Sequence, residues 1–200
     1  QTAPHLSRKN LDDVVEMIME SEGDLILFPE LALNGYKLKD ALLEDAFTID
    51  ELEVFKTLNK DICVGVALKE GHKIYNASIY FSKDRVTIYK KQYLPTYGVF
   101  EEERFFFRGE ESFCFNTKFG KTSMFVCEDM FSGEILNFIS KEKPDLVLVL
   151  ANSPAREFQN NDLLIKDNWY SILKTTSILS GAYTLFANRV GFEDGLGFWG

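Results

Sequence analysis

No apolar run in these 200 residues approaches the roughly 20 residues that a membrane-spanning helix requires. No charged-then-apolar signal segment opens the chain either. A soluble, cytoplasmic protein with no membrane partner is therefore expected. Histidine is scarce: His5 and His72 stand apart, with no second ligand beside either. Cysteine is scarce too. Cys63, Cys114 and Cys127 form an odd count at wide spacing, which is neither a disulfide framework nor a CxxC metal pattern. Chemistry without a metal or cofactor is expected. Positive charge is also in deficit, with 22 Lys and Arg against 31 Asp and Glu. The resulting acidic surface repels phosphate backbones, so nucleic acid is not an expected partner.

What remains is a chain with 46% hydrophobic content, enough to bury a substantial core in one domain over residues 1–200. There are no internal repeats, low-complexity tracts or linkers to divide it. The chain opens on Gln1 and closes in a Gly-rich run, Gly195-Leu196-Gly197-Phe198-Trp199-Gly200. Neither end reads as a natural terminus, and truncation at both ends is expected.

Apolar residues at Leu11, Val14, Val15, Ile18 and Met19 predict a helix over 10–22, stopped by Gly23. Residues 24–28 form a short continuous apolar run, the pattern of a strand buried on both faces. A second helix is expected over 50–60 and a strand over 62–68. Hairpins are expected over 73–90, turning at Ser82-Lys83-Asp84, and over 112–127, turning at Thr117-Lys118-Phe119-Gly120. A helix over 133–143 ends at Pro144, and 145–150 is again a buried strand. A long helix over 163–180 stops at Gly181, before a last strand over 182–188. Helices alternating with buried strands indicate an α/β protein with a mixed sheet.

Three of these strands run into polar residues: Phe28-Pro29-Glu30, Phe125-Val126-Cys127-Glu128-Asp129 and Leu150-Ala151-Asn152-Ser153. Ligand sites in α/β sheets gather at the carboxyl ends of strands, which would bring Glu30, Cys127 and Asn152-Ser153 into one neighbourhood. Singly, each polar residue has a bland explanation. Cys127 suits a small apolar core position, as do Cys63 and Cys114. Glu30 suits a solvated strand end, and Lys91 a surface charge. Together they complete one mechanism. A carboxylate in an apolar pocket can take the proton of a thiol. The tetrahedral oxyanion that follows attack on an amide needs a fixed positive charge or donors. A buried Lys91 supplies that charge and a field favouring the thiolate, and the backbone N–H of Glu128 is the expected second donor.

Four segments carry a family resemblance. Phe28-Pro29-Glu30-Leu31-Ala32-Leu33-Asn34-Gly35-Tyr36 resembles the F-P-E-L-x-x-x-G-Y segment of the nitrilase (carbon–nitrogen hydrolase) superfamily. Tyr89-Lys90-Lys91-Gln92-Tyr93-Leu94-Pro95 is similar to its lysine segment, and Val126-Cys127-Glu128-Asp129-Met130 to its cysteine segment. Asn188-Arg189-Val190-Gly191-Phe192-Glu193-Asp194-Gly195, with Phe198-Trp199-Gly200, resembles its N-x-V-G and F-x-G segments. The matches keep the family's order and span nearly the whole chain. The resemblance implies an αββα sandwich with mixed sheets and a Glu-Lys-Cys triad of Glu30, Lys91 and Cys127. It implies that the Glu acts as base and acid, that the Lys steadies the oxyanion, and that the Cys forms a thioester.

A finer similarity covers Leu94-Pro95-Thr96-Tyr97-Gly98-Val99-Phe100-Glu101-Glu102-Glu103-Arg104-Phe105-Phe106. It resembles L-P-x-Y-x-V-F-D-E-x-R-Y-F in glutaminase domains of glutamine-dependent NAD synthetases. By that register Glu102 is a second acid orienting the Lys and the substrate, and Tyr97 falls where a substrate-contacting aromatic stands. Glu101 and Glu103 are left as a solvated run. The segment from Ser153 to Gln159 follows the glutaminases only through Ser153-Pro154, and Arg189 with Glu193-Asp194 is more similar to stand-alone amidases.

The leading expectation is thus a stand-alone hydrolase of a small linear amide or N-carbamoyl compound, releasing ammonia. A nitrile is disfavoured because Cys127-Glu128-Asp129 is more similar to amidase than to nitrilase segments. The alternatives are a glutaminase component feeding ammonia to a synthetase on a partner chain, and a non-catalytic binding protein on the same fold. By family analogy a homodimer or larger homo-oligomer is expected.

Overall fold

The computed structural model describes residues 6–156, 158–159 and 162–200; His5 lies outside them. In chain order the elements are α1 (Ser7–Glu20), β1 (Leu25–Leu27), α2 (Leu42–Asp45), β2 (Asp61–Glu70), β3 (Lys73–Ser82), β4 (Arg85–Lys90), α3 (Glu102–Phe105), β5 (Phe115–Thr117), β6 (Gly120–Val126), α4 (Gly133–Glu142) and β7 (Leu146–Ala151). There follow β8 (Phe158–Gln159), β9 (Asp162–Leu163), α5 (Leu164–Ser180), β10 (Tyr183–Asn188), β11 (Val190–Glu193) and β12 (Leu196–Trp199). The segment expected as a second helix forms as a 3-10 helix over Asp50–Leu58, ended by Asn59 in a left-handed conformation.

Two four-stranded sheets carry the fold, ordered β1-β2-β3-β4 and β10-β7-β6-β5. Both are mixed. In the first, β1 runs parallel to β2 while β2, β3 and β4 are antiparallel. In the second, β6, β7 and β10 are parallel and β5 is antiparallel. Two-residue alternation sorts the side chains of the first sheet. Ile62, Val64, Val66, Ala77, Ile79 and Phe81 pack with Val14 and Ile18 of α1 and with Leu52 and Phe55. Cys63, Tyr80 and Tyr89 join instead the cluster that holds Met124, Val126 and Leu148 of the second sheet. Helices α4 and α5 add Ile135, Ile139, Ile165 and Trp169 to that cluster. The layers are therefore helix, sheet, sheet, helix. At about 25 cal/mol per Å² of apolar surface removed from water, the two apolar clusters supply the main driving force.

The expectation for residues 24–28 is corrected in one respect. The strand is short, lies at the edge of its sheet among the described residues, and its three side chains are only partly buried. Continuous apolar sequence fits a half-covered edge strand as well as a central one. By contrast β7, read from the same kind of pattern, is buried at all six positions. Of the expected strand over 112–116 only its end forms, as β5. The paired β11 and β12, and β8 with β9, had no expected counterpart. No helix among the described residues is long and apolar enough to cross a membrane.

Candidate active site

The first sheet delivers Glu30 and Lys91. Beyond β1, the Phe28 N–H still bonds to the Cys63 carbonyl at 2.8 Å. The chain then turns at Leu31, whose φ is +50°. It turns directly against Gly65 of β2, where an added Cβ would stand 2.4 Å from the Pro29 oxygen and 2.6 Å from the Glu30 Cα. No other residue permits that approach. Asn34 fixes the next turn, accepting from the Ala67 N–H at 2.8 Å and donating to the Asp45 carbonyl at 2.7 Å. Lys91 follows β4, its N–H bonded to the Asn76 carbonyl at 2.8 Å.

Lys91 Nζ donates to Glu30 Oε1 at 2.7 Å and to Glu102 Oε1 at 2.8 Å. The three side chains are between 0% and 4% exposed. Asn76 Nδ2 donates to Glu30 Oε1 at 2.7 Å, and the Tyr36 hydroxyl donates to Glu102 Oε1 at 2.7 Å. Glu30 Oε2 is buried with no hydrogen-bond partner among the described residues. Burial pulls the Lys91 ammonium toward neutrality, but Glu102 and Glu30 outweigh it and raise its pKa well above the usual lysine range. Lys91 is a fixed cation. Burial, reinforced by Glu30 and opposed by Lys91, pushes the Glu102 carboxyl up to about 7.

The second sheet delivers Cys127. Strand β6 ends at Val126, and Cys127 opens a 3-10 turn over Cys127–Phe131 with φ of +48°. A side chain other than glycine in that region is strained by about 1–2 kcal/mol, so the surroundings must hold it. Asp129 does so. Its Oδ2 accepts the Val126 N–H at 3.0 Å and the Tyr89 hydroxyl at 2.9 Å, and its Oδ1 accepts the N–H groups of Gln92 and Tyr93 at 3.0 and 2.9 Å. One buried carboxylate thus ties the cysteine turn to the chain just after Lys91. Burial raises the Asp129 carboxyl to about 6, against the pull of Lys91 and its donors.

Cys127 is 8% exposed. Burial first, then the charge of Glu30, raises its thiol well above the ordinary range; Lys91 and the backbone N–H of Asn152 oppose this without prevailing. The field of Lys91 favours the thiolate, while two carboxylates and a dry surround disfavour a further negative charge, so the thiol needs a base.

Lys91 bonds directly to Glu30 and to Glu102, and Cys127 lies within electrostatic reach of all three. Asn152 Nδ2 reaches the Glu30 carbonyl at 3.3 Å. The Tyr97 hydroxyl bonds both carboxylate oxygens of Glu128 at 3.0 Å, at an exposed rim beside the cysteine. Glu102 meets Lys91, as expected of an orienting acid. Glu101 and Glu103 are solvent-facing, Glu103 beside Arg108. Cys63 is buried, with its thiol pushed up to about 12 by that burial. Three supporting residues were not singled out in the sequence: Asn76, Tyr36 and Asp129. Asn76 had a signal, being with Ser78 one of two polar residues in the otherwise apolar run from Ile74 to Phe81 of β3. Among the described residues no group of three or more His, Cys, Asp and Glu side chains is placed to hold a metal ion.

Comparison with known proteins bears on the family and the fold. The carbon-nitrogen hydrolase family model matches residues 4–200. A glutamine-dependent NAD(+) synthetase of Acinetobacter baylyi is 30% identical, over all of this chain and 38% of its own. The structure of the glutamine-dependent NAD+ synthetase from Acinetobacter baumannii superposes with a TM-score of 0.81 at 26% identity, covering 99% of this chain and 39% of that one. The chain thus spans less than two-fifths of the length of these synthetases. An amidase of the nitrilase superfamily from Nesterenkonia shares the fold, with a TM-score of 0.80 at 21% identity, over 99% of this chain and 77% of its own. With the αββα layers, the ordered motifs and the family match in agreement, the chain belongs to the carbon-nitrogen hydrolase family.

Proposed function

We propose that this chain hydrolyses a small linear amide or N-carbamoyl compound through a cysteine thioester, with Glu30, Lys91 and Cys127 as its catalytic residues. One observation carries this function: a strained, buried thiol shares its electrostatic environment with a carboxylate oxygen that no donor among the described residues occupies, and with a charged lysine.

The roles follow from the charges. Because the thiol rests protonated, Glu30 Oε2 takes its proton as sulfur attacks the amide carbon. The C=O π-electrons move to oxygen, and the oxyanion is stabilised by Lys91 and the backbone N–H of Glu128. Glu30 returns the proton to nitrogen, the C–N bond breaks and ammonia leaves a thioester. Water, deprotonated by Glu30, attacks the thioester; the acid is released and the thiol regains its proton. Glu102 keeps Lys91 aimed while Glu30 changes protonation state.

Ammonia release from a panel of amides, glutamine and N-carbamoyl acids tests this, with Cys127→Ala as control. Turnover abolished in a folded Cys127→Ala protein is the expected result; turnover retained in that variant overturns the assignment. A second function, delivery of ammonia from glutamine to a synthetase partner, is favoured by the likeness to glutamine-dependent NAD synthetases. Turnover of glutamine alone among the panel selects it.

A further inference from the structure

We propose that Glu193 is a positioning residue for the reaction: it clamps the backbone of Tyr36 and Lys37, and so keeps the Tyr36 hydroxyl on Glu102 and Lys91 in its aim. This rests on the hydrolase function proposed above and adds to it a residue 157 positions along the chain from Tyr36.

A hairpin places Glu193. Strands β11 and β12 are joined by Asp194-Gly195, with φ of +45° and +79°, the backbone of a tight two-residue turn. Alternation along β11 leaves Val190 and Phe192 exposed and turns Glu193 inward, where it is 3% exposed. Its Oε2 accepts the Tyr36 N–H at 3.1 Å and its Oε1 the Lys37 N–H at 2.7 Å. Two successive backbone donors thus close on one carboxylate. Arg189, also buried, donates from Nη1 to the same carboxylate, and its guanidinium carbon lies 5.2 Å from the centre of the Phe198 ring of β12. Hydrogen bonds to a charged acceptor are roughly twice as strong as neutral ones, so the clamp is firm.

The clamped dipeptide serves the site directly. The Tyr36 hydroxyl donates to Glu102 Oε1 at 2.7 Å, the same oxygen that receives Lys91 Nζ at 2.8 Å. The Lys37 side chain reaches the Val99 carbonyl at 3.0 Å, in the segment between Tyr97 and Phe100. The chain enters this dipeptide through Gly35, at φ of +87°, the residue type that resists backbone rotation least. Glu193 supplies the rigidity that glycine does not. It acts through Tyr36, one hydrogen-bonded residue away from Glu102. The hydroxyl bond also draws the Glu102 carboxyl downward against the effect of burial, so the titration of Glu102 reports whether Tyr36 is in place.

The test follows the Glu102 carboxyl by carbon-13 NMR, assigned with Glu102→Gln, alongside ammonia release from the amide panel. In Glu193→Gln the Glu102 titration should move to higher pH, because a donor to its ionised form is lost. Tyr36→Phe should move it in the same direction, and the double variant should move it no further than Tyr36→Phe alone. In Glu193→Gln kcat should fall by about 10²-fold, the cost of a small misplacement in an active site, with KM little changed. Glu193→Asp, which keeps the charge beside Arg189, should recover part of both effects and supplies the comparison should the Gln variant fail to fold. A Glu102 titration unmoved in folded Glu193→Gln, or losses that add in the double variant, overturns the inference and leaves the hydrolase function standing. A shared shift of Glu102 with no amide turned over supports the clamp and overturns the hydrolase function.

Discussion

The cage around Lys91 and the rim around Tyr97 both carry carboxylates, yet they are built in opposite ways. Glu30, Glu102, Lys91 and Asn76 are all but sealed from solvent and bonded to one another at 2.7–3.4 Å. Around Tyr97, itself 49% exposed, a single hydroxyl meets Glu128 and a single guanidinium stacks above. A sealed cage fixes protonation and orientation, because each charge is held by the others in a medium of low polarity. A loose rim leaves donors and charges for a ligand. In the proposed function the chemistry falls to the first and the choice of substrate to the second.

Removal of the central cation should break the contrast most strongly. In Lys91→Met two carboxylates are left facing each other without compensation, at a loss of about 3–5 kcal/mol. Turnover should also fall by at least about 10²-fold as the oxyanion loses its charge partner. Urea denaturation and ammonia release measure the two effects separately, and a variant of normal stability would show that the cage is not electrostatically closed.

Asp129→Asn should come next, with about 1–3 kcal/mol lost as buried N–H donors face a mismatched amide. Its activity should fall further than its stability accounts for at assay temperature, because the strained Cys127 turn loses its hold. Normal kinetics in that variant would mean that the turn holds its own shape.

The pH dependence sharpens the comparison. Folded Glu102 binds its proton more tightly than the unfolded chain, with its pKa raised from 4.5 to about 7. Its contribution to stability must therefore fall as pH rises between those values and level off above them. Relative to Glu102→Gln, the unmodified protein should lose Tm across that window and then hold constant. An unchanging difference would place the proton elsewhere in the cage.

At the rim, Tyr97→Phe should change stability by less than about 1 kcal/mol, as expected for an exposed polar contact. Its effect should instead appear in KM. A large loss of stability would show that the rim is structural.

Much of this was legible in the residues. The apolar runs and hairpin turns located β2, β3, β4, β6, β7 and β10, and the polar residues at strand ends marked Glu30, Cys127 and Asn152. The misjudged pieces share a cause. Residues 24–28 have the same apolar run as residues 145–150, yet only the latter lie in the middle of a sheet, and sequence records apolarity rather than neighbours. Asn76, Tyr36 and Asp129 serve the site from positions that local pattern treats as strand, loop and turn. The balance at Cys127 between Lys91, Glu30 and burial is likewise a matter of distance, which no local pattern records.

The sequence by itself determined the alternation of elements, the kinds of reactive groups and their order along the chain, because periodicity and residue chemistry are local properties. Only the tertiary structure decided that Gly65 lets Glu30 lie against β2, that Asp129 joins the cysteine turn to the lysine strand, and that Tyr36 reaches Glu102. Each of these depends on which backbone passes within a few ångströms of which other, and packing of the two sheets alone sets that.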